Sequence, residues 1–205
     1  MANNITLKKG HPAADALDWN EAMRVIHCLD EDERYRDSMM IALGCYLGIR
    51  ISDILRLRWK DILNEPVIEI TEKKTSKARK LKVNPELLNH AKHCHEEMCI
   101  ENDNSYILAS TQYGGSVPIT RGRADQILKD CKKRYDIKSA KVFSSHSLRK
   151  TFGRRVWLQE CKKKRGDQAL ILLQDVFGHS SIAITKRYLG IRQEEILSVY
   201  DSLSL

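Results

Sequence analysis

Two five-residue runs, PVIEI (66–70) and RKLKV (79–83), alternate apolar and polar residues with period two around a polar, cationic connection. They read as one β-hairpin, the edge of a small sheet. Other segments carry apolar stripes at helical spacing. Asp18-x-x-Glu21 has the form of a capping box and opens a helix to about Leu29. A second helix is expected over 31–47, with Met39, Met40, Leu43, Tyr46 and Leu47 facing inward and Gly48 as a left-handed stop. Ser52 caps a short helix to about Leu57, and Pro85 starts another over 85–99. YILAS (106–110) and GGSVPI (114–119) read as a short extended segment and a loop. Further helices are expected at 121–135, 146–160, 167–177, 181–189 and 192–200. No repeat or Gly/Ser/Pro-rich linker divides the chain. The fold class is therefore mainly α with a small antiparallel β-hairpin, an α+β fold. Residues 1–17 form an N-terminal arm, 18–190 the folded domain and 191–205 a C-terminal tail.

The chain has 205 residues, enough for a substantial core. No apolar run approaches the ~20 residues that span a bilayer, and the first 19 residues lack the apolar segment of a signal peptide. A soluble, cytoplasmic protein with no membrane partner is expected. Thirty-five basic against 27 acidic residues give a net charge of +8, which favours a polyanionic partner. The cations cluster at 72–82, 129–138, 149–155 and 161–166, and the acids at 30–34 and 95–104, a two-sided distribution. Six cysteines without C-x-x-C spacing argue against a disulfide framework. The run HAKHCHEEMC (90–99) holds two i, i+4 pairs, His90/Cys94 and His95/Cys99, which could each chelate an ion. The pairs lie on different helix faces and no second ligand pair is evident elsewhere. The run is read as a solvated face with incidental histidines, and no metal is assigned.

Four stretches carry the chemistry. CYLGIRISDILRLRWKDI (45–62) places Arg50 just past a helix stop, and EKKTSKARKLKV (72–83) puts Lys73, Lys74 and Lys77 on the hairpin turn. SSHSLRKTFGRR (144–155) carries His146-x-x-Arg149 at a helix start, and GHSSIAITKRYLG (178–190) carries His179 and, nine residues on, Tyr188. In this order, from about Trp19 to Tyr200, the pieces resemble the tyrosine recombinase (phage integrase) family. The resemblance implies that family's catalytic-domain fold over 18–190. It also implies that Arg50, Lys74, His146, Arg149 and His179 surround a scissile phosphate, with Tyr188 as nucleophile. Lys73 and Lys77 share the turn with Lys74, and Tyr46, Tyr106 and Tyr200 are the rival tyrosines; only Tyr188 has the spacing from Gly-His.

The residue types suit the reaction. Cleavage of a phosphodiester develops charge on the non-bridging oxygens, and two permanently ionised, bidentate guanidiniums match it. A phenol with an ordinary pKa of about 10 needs a base such as His146, and the leaving 5′ oxygen needs a proton, which Lys74 can give. The product is a 3′-phosphotyrosyl enzyme that conserves the bond for religation. No cofactor is required. The resemblance implies double-stranded DNA as substrate, self-association to a tetramer on DNA, and accessory DNA-bending proteins as further partners. Two positions depart from the usual pattern: Lys150 stands where histidine is frequent and Asp53 where glutamate is usual. With about 18 residues before the first helix, the chain is similar to small single-domain members such as the invertases of fimbrial switches. A DNA-binding domain supplied separately is the other possibility. Alternatives to site-specific recombination are type IB topoisomerase-like nicking and closing, or a non-catalytic DNA-binding regulator. The apolar tail, Ile191, Ile196, Leu197, Val199, Tyr200, Leu203 and Leu205, could dock on its own domain or on a neighbouring subunit.

Overall fold

The computed structural model describes residues 13–73, 76 and 78–191. Its helices are α1 (Trp19–Glu31), α2 (Tyr35–Leu47), α3 (Ile51–Ile54), α4 (Trp59–Leu63), α5 (Pro85–Glu97), α6 (Arg121–Arg134), α7 (Ser145–Lys162), α8 (Gly166–Phe177) and α9 (Ile182–Leu189). Strands β1 (Val67–Thr71) and β2 (Ala78–Lys82) lie between α4 and α5 and pair antiparallel, Val67 opposite Lys82 and Thr71 opposite Ala78. The mainly helical fold with one hairpin is as the sequence predicts. The predicted helix at 192–200 lies outside the described residues.

The organising element is α2. Met39 to Leu43, Cys45 and Leu47 are all buried, so the helix is apolar all round and is enclosed by α1, α5 and α7. It starts at Tyr35 rather than residue 31, because Glu33 takes a left-handed conformation (φ 57°) that ends α1 and turns the chain. The expected helix 52–57 is shorter, and α4, which the sequence reading missed, follows it. The amide of Arg58 donates to Asp61 Oδ2 (2.8 Å) at its start, and buried Trp59 fixes it to the core.

The capping box at Asp18 forms only by half. Asp18 Oδ1 accepts from the amides of Asn20 (2.8 Å) and Glu21 (3.2 Å), but Glu21 does not reach back. Its carboxylate instead accepts from the amides of Lys138 (3.0 Å) and Ser139 (2.9 Å), and Ser139 Oγ takes the Asp18 amide (2.9 Å). A long-range tie replaces the local one. Residues 14–17 form neither helix nor strand and pack against the fold. Leu17 is buried with its amide on Thr151 Oγ1 (2.8 Å), and the Asp15 amide reaches Val142 O (2.9 Å).

Buried apolar side chains form two clusters. The larger takes in α1 to α6 and the hairpin, and reaches α7 at Leu148. The smaller holds Leu170, Leu173, Phe177, Leu189 and Ile191, with Phe152, Val156, Trp157 and Tyr188 packed on it. Helix α7 therefore joins the two. It meets α2 closely at Gly44, where a Cβ would lie 2.6 Å from Leu148 Cβ. We expect Gly44→Ala to destabilise the fold by about 1–3 kcal/mol through overpacking, outweighing the gain of about 1 kcal/mol in helix propensity. Urea denaturation reads the change; a stabilised variant would contradict the close α2–α7 contact.

Candidate active site

The site forms where α2 and α8 end. Both helices terminate in a left-handed glycine, Gly48 (φ 61°) and Gly178 (φ 63°). The last carbonyls of a helix lack intrahelical partners and carry its negative end. Arg149, on the first turns of α7, fills that need. Its Nη1 donates to Gly48 O (2.6 Å) and Nη2 to Phe177 O (3.1 Å), and its guanidinium lies 4.5 Å above the Phe177 ring. It is 4% exposed. Burial lowers its pKa to about 10, so it stays charged at neutral pH.

Arg50 caps α3 with an extended backbone, two residues beyond Gly48. Its Nη1 lies 2.7 Å from Glu72 Oε2, and Arg79 Nε lies 3.0 Å from Glu72 Oε1. Glu72 is 1% exposed, so one buried carboxylate serves two arginines. Arg79 also donates to Val176 O, which ties the hairpin to the end of α8. Asp53 completes the tie from the other side. It is buried, accepts from the Lys73 amide (3.0 Å), and lies 3.5 Å from Arg56 Nη2. Aspartate at this position therefore fixes the start of the hairpin turn.

Tyr188, on α9, places its hydroxyl in the interior beside the Arg149 guanidinium. Burial raises its pKa above the ordinary 10, and Arg149 and Arg50 work against that rise. Its ring meets His179 edge-on at 5.2 Å and Phe177 at 5.3 Å. The His179 ring is held by Thr185 Oγ1, 3.0 Å from Nδ1. Its pKa is lowered by burial, then by Arg149 and Arg50. His146 stands in the first turn of α7, open to solvent on one side. Desolvation on the other side lowers its pKa, and Arg121, Arg149, Lys150 and Arg50 add to the effect.

Arg50, Arg149, His179, Tyr188 and His146 thus share one cationic site. Lys74 and Lys77 lie outside the described residues; the residues flanking them, Glu72, Lys73 and Arg79, belong to the site. Sequence reasoning missed Glu72 and Arg79. The signal was present: extending the alternation of β1 puts Glu72 on the inward face with Ile68 and Ile70, and Arg79 pairs with Ile70. A carboxylate in an inward register needs a cation. Thr185 carried no such signal.

The sequence matches the phage integrase family over residues 15–195, and the chain belongs to that family. It is a tyrosine recombinase, an enzyme of site-specific DNA recombination. The chain is 32% identical over 165 residues to the probable integrase/recombinase YoeC of Bacillus subtilis (strain 168), spanning 80% of this chain and 83% of that one. Its fold is similar to that of XerA recombinase (TM-score 0.66, 22% identity, 97% of this chain and 67% of that one). It also resembles the XerH site-specific recombinase bound to palindromic difH substrate in a post-cleavage complex. There the TM-score is 0.65 at 22% identity, over 97% of this chain and 57% of that one.

Removing the shared carboxylate should be costly. We expect Glu72→Gln to lose about 3 kcal/mol of stability, since Arg50 and Arg79 would keep their charges without the counter-ion. A denaturation midpoint unchanged from that of the natural chain would refute the role given to Glu72.

Proposed function

We propose that the chain cuts DNA strands at defined sites and rejoins them through a 3′-phosphotyrosyl bond to Tyr188. The observation that carries this reading is the Tyr188 hydroxyl lying beside Arg149, in a site shared with Arg50 and His179. In the proposed step, Tyr188 Oη attacks phosphorus, the bond to O5′ breaks, and the phosphorus–tyrosine bond replaces it. His146 takes the phenolic proton, and Lys74 on the hairpin turn gives a proton to O5′. Arg50 and Arg149 bind the non-bridging oxygens, where charge develops, and His179 supports the same phosphate. The names of the relatives favour strand exchange over nicking and closing.

Double-stranded DNA is the substrate of this reaction, and the net charge of +8 suits it. We assign the protein to a tetramer on DNA, with accessory DNA-bending proteins, for recombination. Ile171 and Leu172, 52% and 62% exposed on α8, support self-association. The apolar tail expected over 191–205 lies, beyond Ile191, outside the described residues. Among the described residues, no helix is long and apolar enough to cross a membrane.

A nicked suicide substrate, which loses its 5′ fragment after cleavage, tests the nucleophile. The natural chain should accumulate a covalent complex and Tyr188→Phe none, with DNA affinity retained. Arg50→Ala should slow the trapping by about 100-fold or more, the scale of one lost transition-state contact of ~3 kcal/mol. A covalent complex in Tyr188→Phe would move the nucleophile to another tyrosine.

The histidines set a pH dependence. Both His146 and His179 have pKa values below the ordinary 6.5, so both are neutral at pH 7. Protonation on acidification removes the base, and because both pKa values are lowered the trapping rate should hold through the ordinary histidine range and fall only at more acidic pH. His146→Ala should be slower at pH 7 and lose most of that acid limb. A rate that rises toward pH 5 would exclude a neutral histidine base.

A further inference from the structure

The histidine–cysteine run at 90–99 has a different meaning in three dimensions. Its two i, i+4 pairs do diverge, as their spacing predicts. His95 turns to Asp103 (2.8 Å) and Cys99 is exposed. The first pair, His90 and Cys94, faces α1 and meets Asp30 at the end of that helix. One ligand atom from each of Asp30, His90 and Cys94 lies within 4.8 Å of the others, the one such group among the described residues. The missing partner is thus a carboxylate 60 residues upstream, which no spacing rule connects to the run.

One edge of the cluster already has the length of a metal-site edge: Cys94 Sγ lies 3.5 Å from His90 Nε2. Ligand bonds of about 2.3 Å to sulfur and 2.0–2.1 Å to nitrogen, at a tetrahedral angle, put those two atoms about 3.6 Å apart. His93 stands outside the group and holds the Asp30 carboxylate, its Nε2 3.1 Å from Oδ1. From this arrangement we propose that Asp30, His90 and Cys94 bind a zinc-like divalent cation that staples the end of α1 to α5, with solvent as the fourth ligand. The donor set, one thiolate, one imidazole and one carboxylate, suits a borderline-soft ion rather than magnesium or calcium. On binding, the metal–sulfur bond replaces the S–H bond of Cys94, and the proton leaves to solvent.

The surroundings fit this role. His90 Nε2 lies 2.9 Å from Ser38 Oγ, and that hydroxyl also donates to Ile26 O (3.1 Å), so it keeps a partner when the ring turns to a metal. Entry is from the solvent side, where the side chains of His93 and Asp30 are 44% and 24% exposed.

The test uses the untagged full-length chain, stripped with a chelator and titrated with cobalt(II). One cobalt per chain should bind, with thiolate charge-transfer absorption in the near ultraviolet and the intense visible bands of a tetrahedral ion. Zinc should displace it and raise the melting temperature. Cys94→Ser should lose the thiolate band and weaken zinc binding by more than about 100-fold, beyond what outer-shell partners cost. Asp30→Asn should weaken binding and keep the band, which covers the case of Cys94→Ser failing to fold. His95→Ala and Cys99→Ser should bind as the natural chain does. No thiolate band, or equal losses in Cys94→Ser and Cys99→Ser, would overturn the site.

Discussion

The structure turns on a buried cation held by backbone rather than by an acid. Arg149 bonds two carbonyls, Gly48 O and Phe177 O, that close helices from distant parts of the chain. Each carbonyl stands at the negative end of its helix, so the guanidinium receives two partial charges without full neutralisation. A carboxylate here would neutralise the cation and compete with an anionic substrate. Two helix termini stabilise the charge and leave it free to act on a third party. The same two bonds fix where α2 and α8 end, and so place Arg50 two residues beyond one and His179 two residues beyond the other. Catalytic geometry and helix packing therefore rest on one side chain.

Glu72 does the opposite job for Arg50 and Arg79. Three arginines in one site repel one another: Arg50 and Arg79 both add to the lowering that burial imposes on Arg149. One buried carboxylate relieves that repulsion at the edge of the site, while Arg149 keeps its charge uncancelled. Glu72 also ends the stretch of strand that presents the lysine-bearing turn, and Asp53 holds the Lys73 amide from α3. The hairpin is anchored by acids at its base, and Arg79 carries the anchor on to Val176. The base of the hairpin and the balance of charge beside it are thus set by the same contacts.

The sequence made legible what depends on local rules. The hairpin followed from alternation, the stop of α2 from Gly48, and the cationic residues from spacing that resembles a known family. What it hid were pairings between distant segments. Glu21 looked like the second half of a local cap and instead holds Lys138 and Ser139, more than a hundred residues away. Glu33 and the short helix at Trp59–Leu63 broke segments that periodicity alone would run together. Asp30 and Cys94 share no spacing at all. In each case the competing partner is supplied by tertiary packing, which a window of a dozen residues cannot contain.

Tyr188 stands on the lesser of the two apolar clusters, and this bears on how the site is held. Arg50 stands between Ile49 and Ile51 of the large core, and Arg149 follows Leu148 of that core and reaches across to Phe177 of the smaller one. Tyr188 instead packs on Phe177, with Leu189 and Ile191 beside it. Fewer buried contacts mean a smaller free energy for local displacement than for unfolding the frame. Lys150 adds a clamp: its Nζ lies 5.1 Å above the Tyr188 ring and donates to Ala14 O (2.6 Å). Lysine in place of the family's frequent histidine thus ties the segment before α1 to α9 at Tyr188. Arg50 thus belongs to the larger core, Tyr188 to the smaller one, and Arg149 spans the two, so a displacement of Tyr188 costs less than one of either arginine.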